Sequence, residues 1–141
     1  MPPPASPLND RSALPTPVAV RGALGPEVWA LYGRARAGLG GLELAYAWDD
    51  DGGGGWTLGI AQAGRLLGRV LLTAAPLTGV AVVPAQSAAV VAASPELPPL
   101  AADRLSAAAP SGDTLRVGFP LTGDAEILAF ISLVRTLATL E

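Results

Sequence analysis

The chain has 141 residues, a formal net charge of −3 and a sequence pI near 4.8; half of its residues are hydrophobic and 15% are charged. It contains no His, Cys or Lys, and its nine basic residues are all Arg, so thiolate, Schiff-base and His-dependent nucleophilic chemistry, disulfides and the usual transition-metal ligand sets are excluded. The acidic balance argues against nucleic acid as a partner, because such binding needs a positive surface that displaces counterions from phosphates.

Six prolines fall within residues 1–19, with little apolar bulk. Residues 1–22 are therefore predicted to form a disordered or extended tail, either inert or a peptide motif for an aromatic groove, ahead of a single α+β domain over 23–141. The first residues lack the basic and apolar regions of a signal peptide, which makes a cytoplasmic location the expectation.

Pro26 suits a first helical position, and Val28, Leu31, Ala35 and Leu39 follow at helical spacing, with Trp29 and Tyr32 flanking that stripe. Gly38, Gly40 and Gly41 end this helix. From Leu42 to Trp48 the pattern alternates, with Leu42, Leu44, Tyr46 and Trp48 on one face and Glu43, Ala45 and Ala47 on the other. The segment Asp49–Gly55 reads as a turn, Trp56–Ala63 as the return strand, and Arg65–Thr73 and Gly79–Val83 as two more strands. Together they predict a four-stranded antiparallel meander with short connections. Residues 70–95 carry no charge and are long enough to cross a bilayer, but Pro76, Gly79 and Pro84 interrupt them, so no membrane helix is predicted.

Two short helices are predicted over Ala85–Ala93 and Leu100–Ala108, then a turn at Pro110-Ser111-Gly112 and a fifth strand, Thr114–Leu121. The closing helix has Thr122 or Gly123 as its cap and Asp124 and Glu126 in its first turn. Ile127, Phe130, Ile131, Val134 and Ala138 form the stripe that packs on the sheet.

The acidic turn fails as a calcium loop, since Gly53 and Ile60 hold the fifth and twelfth positions counted from Asp49. Its glycines precede a strand, not a helix N-terminus, and there is no Lys, so it is no phosphate loop either. Glu43 paired with a loop aspartate is the acid–base couple nearest the aromatic residues, although Glu43 alternates away from Tyr46 and Trp48. Five of the seven aromatic residues lie between positions 29 and 56. They read either as core, where the first helix crosses the hairpin, or as a pocket for a small apolar or cationic ligand. In the second reading Trp29, Tyr46, Trp48 and Trp56 form the wall, and Arg65 or Arg69, which share one strand face, holds an anionic group; the other reading of the two arginines is as solvated charges on the sheet face. No cofactor and no metal are expected.

The order of a Trp-containing helix, Gly55-Trp56 opening a strand, a Gly64-Arg65 turn, a Pro76 turn, Gly112 before a Leu-Arg-Val strand and a closing Asp-x-Glu-Ile-Leu helix resembles the bacterial family called domain of unknown function 3788. The resemblance covers about residues 26–139, though Ala, Gly and Arg replace that family's Lys- and aromatic-rich strands. A second resemblance is to the YjbR-like double-wing family, whose DNA-binding label does not fit the acidic balance here. Neither implies catalytic residues. The expectation is a non-enzymatic binding or accessory domain with a small-molecule or protein partner; the alternatives are a carboxylate-based acid/base enzyme and a nucleic-acid-binding double-wing domain.

Overall fold

Thr16 starts the first helix. Its hydroxyl accepts a hydrogen bond from the Ala19 amide at 3.2 Å, and Pro17 takes the first helical position, where its missing N–H costs nothing. The computed structural model describes residues 14–48, 55–73, 76–108 and 110–140, and helix α1 spans Pro17–Gly38. The helix is therefore eight residues longer at its start than Gly25 would make it, and residues 17–22 are helical, not extended. Residues 1–13, the rest of the predicted tail, lie outside the described residues. The axis breaks at Gly25, whose φ of 80° is open to glycine, ahead of Pro26, which cannot donate to the preceding turn. Tyr32, Ala35 and Leu39 are fully buried, so the inward stripe centres on Tyr32, while Val28 and Leu31 pack at its margin.

Strands β1 (Glu43–Trp48), β2 (Trp56–Gln62), β3 (Arg65–Leu71) and β4 (Thr78–Pro84) form the predicted meander. A 3₁₀ turn at Ala85–Ser87 leads into α2 (Ala88–Ala92), and Pro99 opens α3 (Pro99–Ser106). The turn at Pro110 is itself a short strand, β5 (Pro110–Ser111), which forms a hairpin with β6 (Thr114–Pro120). The sheet order is β1-β2-β3-β4-β6-β5, antiparallel throughout. Helix α4 (Asp124–Ala138), capped by Gly123, closes the fold.

The helices cover one side of the sheet. Gly79 marks that side, because a Cβ there would lie 2.8 Å from the Phe130 ring of α4. Cross-strand register then carries the same face outward from β4: Gly79 pairs with Val70 and Phe119, Val70 with Leu58, and Leu58 with Tyr46. Leu58, Val70, Phe119, Phe130, Leu133 and Val134 fill the layer between sheet and helices. At the far end Gly38 lets α1 and α4 meet closely, since an added Cβ would run into Ile131. Arg135 of α4 locks that junction by donating to the carbonyls of Gly38 and Gly40, both at 2.8 Å, where the end of α1 carries partial negative charge. Arg34 of α1 pairs with Asp124 at 2.6 Å on the surface between the same helices.

Candidate binding surface

The predicted aromatic wall divides into two contacts. Trp48 and Trp56 are cross-strand partners whose rings meet edge to face, 5.7 Å apart at 84°. Trp29 stacks obliquely on Tyr32 at 5.6 Å within α1, and the Tyr32 and Tyr46 hydroxyls approach to 3.5 Å. Trp56 and Tyr32 are buried, whereas Trp29, Tyr46 and Trp48 are half-buried. The Arg36 guanidinium lies 5.7 Å from the centre of the Tyr32 ring. The aromatic residues thus face one another across the contact between α1 and the β1–β2 hairpin, on the helix-covered side.

Burial, followed by the neighbouring Tyr46 hydroxyl, pushes the Tyr32 phenol well above the usual tyrosine range; Arg36 acts weakly the other way. The folded state therefore holds the Tyr32 proton after the unfolded chain has lost it. Stability that is fully present below about pH 10 is lost as pH rises beyond that, at up to about 1.4 kcal/mol per pH unit. Urea unfolding of Tyr32→Phe between pH 8 and 11.5 is expected to show a shallower alkaline slope than wild type. An unchanged slope would show that Tyr32 does not titrate this way.

Arg65 does not join the aromatic residues. It pairs with Gln62, at the end of the β2–β3 hairpin opposite Trp56, about 20 Å along the strand, and donates to the Leu137 carbonyl of α4 at 2.8 Å. Nor does it share a face with Arg69. A bulge between Ile60 and Ala61 shifts the register by one residue, so Arg65 reaches the helix side while Arg69, paired with Gly59 and Val80, points to the other. Glu43 also faces away from the helices, at the end of β1 remote from the acidic turn, whose residues 49–54 lie outside the described ones. Among the described residues no group of three or more acidic side chains could hold a metal ion, and no helix is long and apolar enough to cross a membrane.

A cavity of about 520 Å³ lies between the α1–β1 turn and the end of α4, lined by Gly40, Gln62, Glu96, Ser132, Arg135 and Thr139 among others. Three side chains of its polar wall, Arg135, Thr136 and Thr139, are committed to the fold. Arg135 caps α1, the Ser132 carbonyl accepts from Thr136, and Thr139 donates to the Thr136 carbonyl.

The opposite side of the sheet has a different character. Among the described residues, the helices seen to touch the sheet, α3 and α4, lie on the Gly79 side, and the side chains of the opposite side are mostly small or aliphatic. One cross-strand row reads Ala45, Gly59, Arg69, Val80, Gly118. The next pairs Glu43 with Ala61 and Ala61 with Leu66 on one flank, and Val82 with Arg116 on the other. On the third row Thr57, between Ala47 and Leu71, donates its hydroxyl across the strands to the Ala47 carbonyl at 2.9 Å and is only 3% exposed, so this end of the face is already covered. An antiparallel sheet with one wet face ordinarily alternates apolar inside with polar outside. Here the outward strand positions among the described residues carry only three charges, Glu43, Arg69 and Arg116. Leu66, at 38%, is one of the large hydrophobic residues most exposed to solvent.

No family model matches the chain, and neither a curated protein nor a solved structure matches it.

Proposed function

We propose that the chain is a non-enzymatic binding module that engages a protein partner through the helix-free face of its sheet. The observation that carries this reading is the composition of that face: Ala45, Ala61, Leu66, Val80 and Val82 stand outward where a solvated sheet would place polar side chains. Small, flat side chains on a broad surface suit contact with another folded surface more than enclosure of a small molecule, which requires concavity. The absence of His, Cys and Lys fits a role that depends on shape. The resemblance to the domain-of-unknown-function 3788 family rests on the Gly55-Trp56 strand start and the order of elements, and supplies no residue to this surface.

Ala45→Asp/Val80→Asp tests the reading, because both positions are outward on the row of Arg69, with Val80 its direct cross-strand neighbour, so the fold can accept the new charges. Wild-type protein at its native level in cleared lysate is expected to migrate above the mass of one chain. The variant is expected to migrate as one chain, with its melting temperature within a few degrees of wild type. Wild-type protein migrating as a single chain would contradict the proposal.

A further inference from the structure

We infer that the partner on the helix-free face is a second copy of this chain, packed sheet on sheet about a twofold axis parallel to the strands. This inference rests on the binding role proposed for that face and adds the identity of its occupant.

Charge placement supports it. The face carries one acid and two bases, and their positions are not random. Relative to the row through Arg69, Glu43 on β1 and Arg116 on β6 are each displaced by two residues toward the same end of the sheet. β1 and β6 are also equidistant in strand order from β3, with two strand steps on either side. A twofold axis running along β3 therefore lays β1 of one copy across β6 of the other. It sets Glu43 of each chain opposite Arg116 of the other, so a single patch complements itself twice, as an isologous contact requires.

Size supports it too. Five strands spaced about 4.8 Å apart, each about six residues long at about 3.4 Å per residue, present a face of about 24 by 20 Å. Covering it on both copies removes about 1,000 Å² in all, which reaches the lower bound for a specific interface and predicts a weak, concentration-dependent dimer. Sheets pack face to face at about 10 Å, and the Ala and Gly side chains along the row of Arg69 leave room for that approach.

The same axis brings Arg69 of one chain near Arg69 of the other, a repulsion at the centre of the contact. Its half-buried stem lies among Gly59, Val80 and their neighbours, so the charged head can extend over small side chains toward the rim. Arg69 thus limits the affinity, and its neutralisation should tighten the dimer.

Sedimentation equilibrium of the purified full chain across a range of concentrations tests the inference. Wild type is expected to show a reversible monomer–dimer equilibrium. Glu43→Arg and Arg116→Glu are each expected to weaken it at least tenfold, because each places like charges opposite one another twice. The double variant restores the pairs and is expected to return within about threefold of wild type, while Arg69→Gln is expected to dimerise several-fold more tightly. All three substitutions lie on the outward face, and circular dichroism melts of the four variants check folding. Monomeric wild type at every concentration overturns the inference, and so does a dimer that the charge swap fails to rescue. If the purified chain is monomeric while the native complex of the lysate persists, the face binds a different protein: the binding role then stands and self-association falls.

Discussion

Phe130→Ala is expected to destabilise the protein by about 3–5 kcal/mol, the usual cost of removing a fully buried aromatic ring from a packed core. The ring sits at the point where α4 lies closest to the sheet, directly over Gly79 of β4 and 6.0 Å from the Phe119 ring. Its place depends on the absence of a side chain beneath it. Gly79→Ala would put a methyl carbon 2.8 Å from the ring edge, a separation that real side chains do not tolerate, so either the ring or the helix has to move. Overpacking of this kind costs about 1–3 kcal/mol. The two positions are therefore coupled. Combining Gly79→Ala with Phe130→Leu, which withdraws the ring edge, should cost at least about 1 kcal/mol less than the sum of the single changes in urea unfolding. Additive costs would show that the helix rides over β4 without this contact.

Trp56→Ala addresses the aromatic cluster. Trp56 is 8% exposed, buried against Trp48 and on the sheet face that the helices cover. If the cluster is core, truncation is expected to cost about 3–5 kcal/mol. For a domain of this size that lowers the melting temperature by about 10 °C or more. Trp29→Ala, at a half-buried site on α1, should cost clearly less. An aromatic-walled pocket predicts otherwise: removing one wall of an open cavity sacrifices little packing and leaves the melting temperature close to wild type. A small change for Trp56→Ala would thus return the cluster to the list of ligand sites, and a large one assigns it to the fold.

The inner face of the sheet was legible in the sequence. Leu42, Leu44, Tyr46 and Trp48 alternate toward the helices, as do Trp56, Leu58 and Ile60, and Leu115, Val117 and Phe119 on β6. Period-two alternation is a local property, and one face of this sheet really is buried. The stripe of α4 was legible in part from its helical period: Ile127, Phe130 and Val134 are buried, whereas Ile131 and Ala138 are half-buried and Leu133 and Leu137 complete the inward face. What failed depended on detail that alternation cannot carry. The start of α1 lies in a proline-rich stretch whose composition suggests a tail, although Thr16-Pro17 is a cap followed by a first-turn proline. Simple alternation put Arg65 and Arg69 on one face, and a single bulge separated them. The outward face proposed to bind a partner is not marked by the inward residues that alternation picks out. The signal was present in the outward ones, where Ala45, Ala47, Ala61, Val80 and Val82 lack the charge expected of a wet face. Whether such a face is covered by the chain's own helices is a question of topology, and periodicity within one strand does not answer it.

The outward face of the sheet is the central claim, and a photo-crosslinking side chain placed at Val80 tests it most directly. The reference is the same group at Leu128, which is 59% exposed on α4, away from the sheet. In cells making the protein at its native level, illumination is expected to join the Val80 probe to a second protein chain, with twice the single-chain mass if that chain is another copy. The Leu128 probe is expected to give little or no adduct. Equal labelling at the two positions, or none at Val80, would contradict the claim that this face is where the protein binds.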